Sequence, residues 1–186
     1  WAPDGRRIAF LRLHPGGVHE LMLVPSGGGP EQKLRDVRMP EFDLRMPRPV
    51  FSWLPDGSAI VIPLDDPETA QASLFRIGLD GSPARRMTRS TDSIAGDVRP
   101  VFSPDGRRFA FGASGQLHVQ RMGPDYMPQG EVQVIDGYFQ SPVWSPDGNR
   151  LVFASTRDGK LALYQKNATG EGKDELLAPL FGTLGA

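Results

Sequence analysis

Large apolar side chains recur at every second position over short runs of this chain, as at Ile8 and Phe10 or Phe109 and Phe111. A period of two is the signature of a β-strand with one face turned inward. Strand-like runs follow at Leu21–Val24, Leu74–Leu79, Leu117–Met122 and Leu161–Gln165, and again at Gln32–Arg35, Arg85–Thr88, Glu131–Ile135 and Glu175–Ala178. Clusters of turn formers separate the two sets: Ser26-Gly-Gly-Gly-Pro30, Asp80-Gly-Ser-Pro83, Met122-Gly-Pro-Asp125 and Ala168-Thr-Gly-Glu-Gly172.

Four segments align without gaps. They read W-A-P-D-G-R-R-I-A-F from Trp1, W-L-P-D-G-S-A-I-V-I from Trp53, F-S-P-D-G-R-R-F-A-F from Phe102 and W-S-P-D-G-N-R-L-V-F from Trp144, spaced by 52, 49 and 42 residues. Each encodes a hairpin. The aromatic ends one strand, Pro sets φ at the first central turn position, Asp accepts local backbone bonds, and Gly supplies the positive φ that closes the turn. Asp4 and Gly5, Asp56 and Gly57, Asp105 and Gly106, and Asp147 and Gly148 are therefore expected as structural turn residues, in turns at 3–5, 55–57, 104–106 and 146–148. Four short strands per repeat of this length make a propeller blade, whose faces are buried by its neighbours. The expected fold is all-β: a β-propeller fragment of about four blades of four antiparallel strands, forming one domain over 1–186. The first repeat begins inside its turn, so its blade is expected to be incomplete and the whole an open arc.

The motif aromatic-Ser-Pro-Asp-Gly followed by an apolar strand ending in Phe resembles the TolB-like propeller repeat, a relative of the WD-repeat propellers. The likeness covers nearly the whole chain. Ala2 and Leu54 depart from the favoured Ser, and Ile62 from the favoured Phe. The stretches Gly96–Phe111 and Leu163–Leu177 are further similar to propellers attached to bacterial signalling proteins, Ser/Thr kinases and winged-helix proteins among them. That resemblance implies a non-catalytic sensory or protein-interaction module, extracytoplasmic, within a larger chain. Its partners would be an unidentified protein or small molecule at the propeller loops, and the remaining blades of the parent, since rings of this kind have six or more. The alternatives are the propeller of a prolyl oligopeptidase-type serine peptidase, where it screens a Ser-Asp-His hydrolase domain, and a stand-alone TolB-type envelope protein.

Composition narrows the picture. Gly and Pro together supply 22 and 18 of 186 residues, nearly twice the ordinary share, which disfavours a helical protein. A hydrophobic content of 39% with a net charge of −1 disfavours disorder. The absence of Cys removes a disulfide scaffold, a thiolate nucleophile and a Cys-based zinc site. The near-neutral charge gives no footprint for nucleic acid. The longest apolar run, Ala59–Leu64, contains Pro63 and is far too short to span a membrane. The chain opens on Trp1, which leads us to expect a piece of something longer.

The residues that could be mistaken for chemistry have plainer readings. Gly112-Ala-Ser-Gly-Gln116 ends in Gln where a nucleophile elbow needs Gly, and it falls where a hairpin turn is expected. Ser26–Pro30 lacks the Gly-Lys-Ser/Thr ending of a phosphate loop. His14 and His19 match no common ligand spacing, and His118 alternates with Leu117 and Val119, so all three are expected as polar surface or blade-edge residues. Asp65-Asp66-Pro67-Glu68 lacks a calcium-loop framework and is expected as a solvated loop. Asn167-Ala-Thr169 is a formal glycosylation sequon to which a bacterial chain gives little meaning. The pairs Arg6-Arg7, Arg85-Arg86 and Arg107-Arg108 are expected to split, one member facing solvent and the other stacking on an aromatic or meeting an acid. No catalytic, metal-binding or cofactor-binding residue is expected, and no cofactor. Ligands would meet the longer loops, Leu13–His19, Val37–Arg48, Leu64–Ala72 and Arg89–Arg99.

Overall fold

The computed structural model describes residues 1–39, 50–69, 71–90, 96–135, 139–157 and 159–180. Among them are fifteen strands in four separate antiparallel sheets. The first sheet holds β1 (Arg7–Arg12), β2 (Val18–Pro25) and β3 (Gln32–Arg38). The second holds β4 (Ser52–Trp53), β5 (Ala59–Asp65), β6 (Ala72–Gly78) and β7 (Arg85–Arg86). The third runs β8 (Val98–Phe102), β9 (Arg108–Ala113), β10 (Gln116–Met122) and β11 (Pro128–Ile135). The fourth runs β12 (Phe139–Trp144), β13 (Arg150–Arg157), β14 (Lys160–Asn167) and β15 (Glu175–Pro179). Strand order in every sheet follows chain order, as in a propeller blade, and among the described residues the first sheet has no counterpart to β4, β8 and β12.

The chain divides into two compact units, Trp1–Pro100 and Val101–Ala186. In the first, Leu21, Leu23 and Val37 of the first sheet pack with Trp53, Ile60, Ile62 and Ile77 of the second. In the second, Leu117, Val119 and Ile135 of the third sheet pack with Trp144, Leu151 and Phe153 of the fourth. Each large side chain buried this way contributes about 1.5–3 kcal/mol. Within each unit the two sheets are thus held by stacking face on face.

Two strands differ from the sequence reading. The strand expected at Arg85–Thr88 is only Arg85–Arg86, because the Thr88 hydroxyl takes over the ladder and accepts the Leu74 N–H at 3.0 Å. His118 is half-buried, its ring 5.3 Å from that of Phe111, and Nε2 has no partner among the described residues. Burial pushes its pKa below the ordinary imidazole value. It is a packing residue where a surface histidine was expected, because the hairpin register sets it opposite Phe111.

Two of the three motif tryptophans, Trp53 and Trp144, make an internal comparison. The Trp144 indole N–H donates to the Val101 carbonyl, 3.1 Å away in β8. Trp53 holds the same repeat position beside a sheet with no strand in the place of β8, and its buried Nε1 has no acceptor among the described residues. Trp144→Phe is therefore expected to cost about 1 kcal/mol more than Trp53→Phe, since one removes a made hydrogen bond and the other an unmade one. Urea unfolding of the two variants checks the difference.

Candidate functional site

The Pro-Asp-Gly turns gather at one end of each sheet. In all four, the Gly N–H donates to the carbonyl of the residue before Pro at 2.9 Å, as Gly106 does to Ser103 and Gly148 to Ser145. The Asp carboxylate accepts the amide two residues on: Arg6 to Asp4 and Ser58 to Asp56 at 2.9 Å, Arg107 to Asp105 and Asn149 to Asp147 at 3.0 Å. Gly5, Gly57, Gly106 and Gly148 have φ of 69°, 71°, 70° and 70°, which a side chain makes costly. Ser103 and Ser145 add a hydroxyl bond to Asp105 and Asp147, and these bonds, ahead of the amides, hold both carboxyls below the usual range. Ala2 and Leu54 cannot make that bond, and Leu54 is fully buried instead. Each aspartate serves its own turn, and the four do not come together as acids.

The opposite ends of the first and second sheets carry the β1–β2 and β5–β6 connections. Between β1 and β2, His14 Nε2 lies 3.1 Å from Glu20 Oε2, and the His14 amide donates to His19 Nδ1 at 3.1 Å. That bond places the His19 proton on Nε2. His19 is buried, which corrects the expectation of a surface histidine; its place on β2 opposite Val37 turns it inward. His14 first, then Lys33, holds the Glu20 carboxyl below its ordinary range, and Arg12 sits 3.6 Å away.

The second sheet holds the larger surprise. Asp66, expected in a solvated loop, is 1% exposed. Burial pulls its pKa upward, but the Glu68 amide at 3.0 Å, Arg86 at 3.1 Å and Ser73 outweigh it, and the carboxyl lies below the usual range. Arg86 also meets Glu68 at 2.8 Å. The acid and its cation are twenty residues apart in the chain, and only the β5–β6 hairpin and β7 bring them together. Gly96 closes the return from β7 at φ 72°, where an added Cβ would lie 2.4 Å from the Ala72 carbonyl oxygen. Arg99, ahead of Pro100, holds the strained φ of 55°. Of the four expected ligand loops, 40–49, 70 and 91–95 lie outside the described residues.

The arginine pairs divide their work. Arg7 lies over the Trp53 ring at 5.9 Å, Arg86 meets Asp66, and Arg108 donates to the Gly148 carbonyl at 3.1 Å. Ser114 and Gly115, at φ 52° and 74°, form the tight turn between β9 and β10, so Gly112–Gln116 is a hairpin. Among the described residues no group of three or more His, Asp or Glu could hold a metal ion, and no helix is long and apolar enough to cross a membrane.

Four-stranded meanders joined by these turns define a β-propeller fold of the TolB type. The chain superimposes on TolB from Acinetobacter baumannii with a TM-score of 0.72 at 18% identity, covering 96% of this chain and 42% of that one. It superimposes on the putative TolB from Agrobacterium tumefaciens with a TM-score of 0.69 at 23% identity, covering 97% and 64%. A puromycin-hydrolyzing peptidase of Mycobacterium tuberculosis gives a TM-score of 0.64 at 16% identity over 94% and 30%. In sequence, the chain is 27% identical over 145 residues to the uncharacterized peptidase YuxL of Bacillus subtilis (strain 168), covering 61% of this chain and 21% of that protein. The chain thus spans about a fifth of the curated relative it matches and less than two thirds of either TolB. No protein-family model matches it.

Three outcomes follow for these residues. Gly106→Val is expected to destabilise by about 1–2 kcal/mol through strain at positive φ, read by urea unfolding. Ionised Asp66 contributes stability in full above the carboxyl pKa of the unfolded chain, and that contribution is lost as pH falls through its lowered folded value. Asp66→Asn should flatten this part of the acid limb of Tm against pH. Arg86→Ala, which strands the buried carboxylate, should lower Tm at neutral pH more than Arg89→Ala, whose partner Glu68 is exposed.

Proposed function

We propose that this chain is the non-catalytic propeller of a serine peptidase of the prolyl oligopeptidase type, part of a longer protein whose chemistry lies in a separate hydrolase domain. The match to the Bacillus peptidase carries the reading, since it extends over 145 residues in sequence and not in fold alone. Several peptidase chains share the fold, among them one from a structure of prolyl endopeptidases and one of the tricorn protease. This reading replaces the sensory module of a kinase or winged-helix protein, which none of the reported relatives supports. The chain's own part is to screen and admit substrate. Among the described residues, charges beside the loops meet in pairs, as at Asp66–Arg86 and Glu20–Lys33.

A second reading, a stand-alone TolB-type envelope protein that docks extracytoplasmic partners, is favoured by the two TolB superpositions. The open reading frame around the chain separates the two. The peptidase reading expects a downstream Gly-x-Ser-x-Gly followed by Asp and His, and a purified 186-residue chain with no peptidase or esterase turnover of its own. A secretion signal upstream with no hydrolase downstream gives the envelope reading. A kinase or winged-helix domain upstream overturns both, and so does turnover by this chain that a single Ser or His substitution abolishes.

A further inference from the structure

Beside the Pro-Asp-Gly turn of the third sheet lies a cavity of about 700 Å³, bounded by that turn, the Gly123–Met127 turn and Asn149. Arg108 of β9, Arg121 of β10 and Gln129 of β11 stand directly opposite one another across the three strands, so their side chains share a face. Arg107 and Tyr126 add to the same rim. Like charges directly opposite in a sheet repel, so the Arg108–Arg121 pair is unfavourable unless something negative lies between them.

The protein supplies little of that charge. Arg108 donates to the Gly148 carbonyl, and among the described residues neither it nor Arg107 nor Arg121 has a carboxylate at ion-pair distance. Asp105, the one acid in the lining, is occupied by the Ser103 hydroxyl and the Arg107 amide. Asp125, in the neighbouring turn, accepts the Met127 amide. The equivalent corners of the other sheets are built differently. In the second sheet, Arg76 and Arg85 also stand opposite each other, but Asp56 and Asp80 line their cavity of about 670 Å³. In the fourth, Lys166 meets Asp174 at 2.7 Å and Arg150 meets Glu175 at 3.5 Å. Three repeats thus present the same corner, and the third sets a single lining acid, Asp105, which Arg107 and Arg108 already help to hold ionised, against three arginines, where the second has two lining acids.

We propose that this cavity binds a small molecule bearing a phosphate or carboxylate group, held by the guanidinium groups of Arg107, Arg108 and Arg121 with the Gln129 amide as a neutral donor. A guanidinium presents paired N–H donors that match two oxygens of either anion. The volume suits a small metabolite. The site does not depend on the peptidase reading, because it uses one corner of one sheet and no substrate loop.

Calorimetric titration of the 186-residue chain at low ionic strength, with inorganic phosphate in one arm and citrate in the other, tests it. Saturable binding in either arm is expected, and the arm that saturates names the anion. Arg121→Gln should weaken it by about tenfold, the loss of one charge-assisted pair. Arg121→Lys should recover part of that loss, and Arg85→Gln in the second sheet should leave binding within about twofold, since it touches no part of the site. Without anion, Arg121→Gln should melt no lower than the parent chain, because it removes a repulsion, and it should lose the rise in Tm that the anion gives the parent. No saturation in either arm, equal loss with Arg85→Gln, or a melting point well below the parent for Arg121→Gln would overturn the site. Saturation by an oligoglutamate peptide but by neither small anion would also overturn it, in favour of protein recognition.

Discussion

The closed turn at Pro-Asp-Gly sets the rest of the structure. Two backbone bonds close it, from Gly back to the residue before Pro and between the residues that flank the turn, as in Ser103 N–H to the Arg108 carbonyl at 2.9 Å. They fix which residue of one strand faces which of the next. In a strand a slip of one residue turns every side chain to the other face. The turn therefore decides that Leu151 and Phe153 are buried and Arg150 is not. A four-stranded meander cannot bury its own faces, so each sheet is stable only when stacked on a neighbour. Local turn chemistry and face-to-face packing are one constraint seen at two scales.

Charge is distributed by the same logic. Strand ends carry Arg and acids that the sheet brings close together, and some acids returned by a loop to that end form ion pairs there. Asp174 shows this at the fourth sheet. Its burial works against ionisation, yet Lys166 and Arg157 hold its carboxyl below the usual range. Arg157 meanwhile covers the Tyr164 ring at 4.1 Å, so one side chain serves both packing and charge. Around Arg121 the returning turn also brings an acid, Asp125, which accepts the Met127 amide, and a single lining acid, Asp105, stands against three arginines.

A fold of this kind says little about activity. The chain superimposes on TolB and on a peptidase alike, so the fold by itself does not choose an activity. The sequence match to a peptidase and the arginine-lined cavity of the third sheet are independent observations. One concerns the protein to which the chain belongs, and the other a surface of the chain itself.

The repeat made the architecture legible from sequence, because a turn is local chemistry: Pro, Asp and Gly each act on bonds within two or three residues. The four antiparallel sheets, and among the described residues the three strands of the first, could be read this way. What escaped was whatever depends on residues far apart in the chain. Asp66 looked solvated because its partner Arg86 is twenty positions away, and His19 looked polar and exposed because nothing local shows that β2 turns it inward. The Arg108–Arg121 opposition was invisible because strand register, not spacing, puts two residues face to face. Sequence determined the turns and the period. Tertiary structure decided which charges are buried, which are paired and which are left over, because those outcomes are set by distances that no local bond controls.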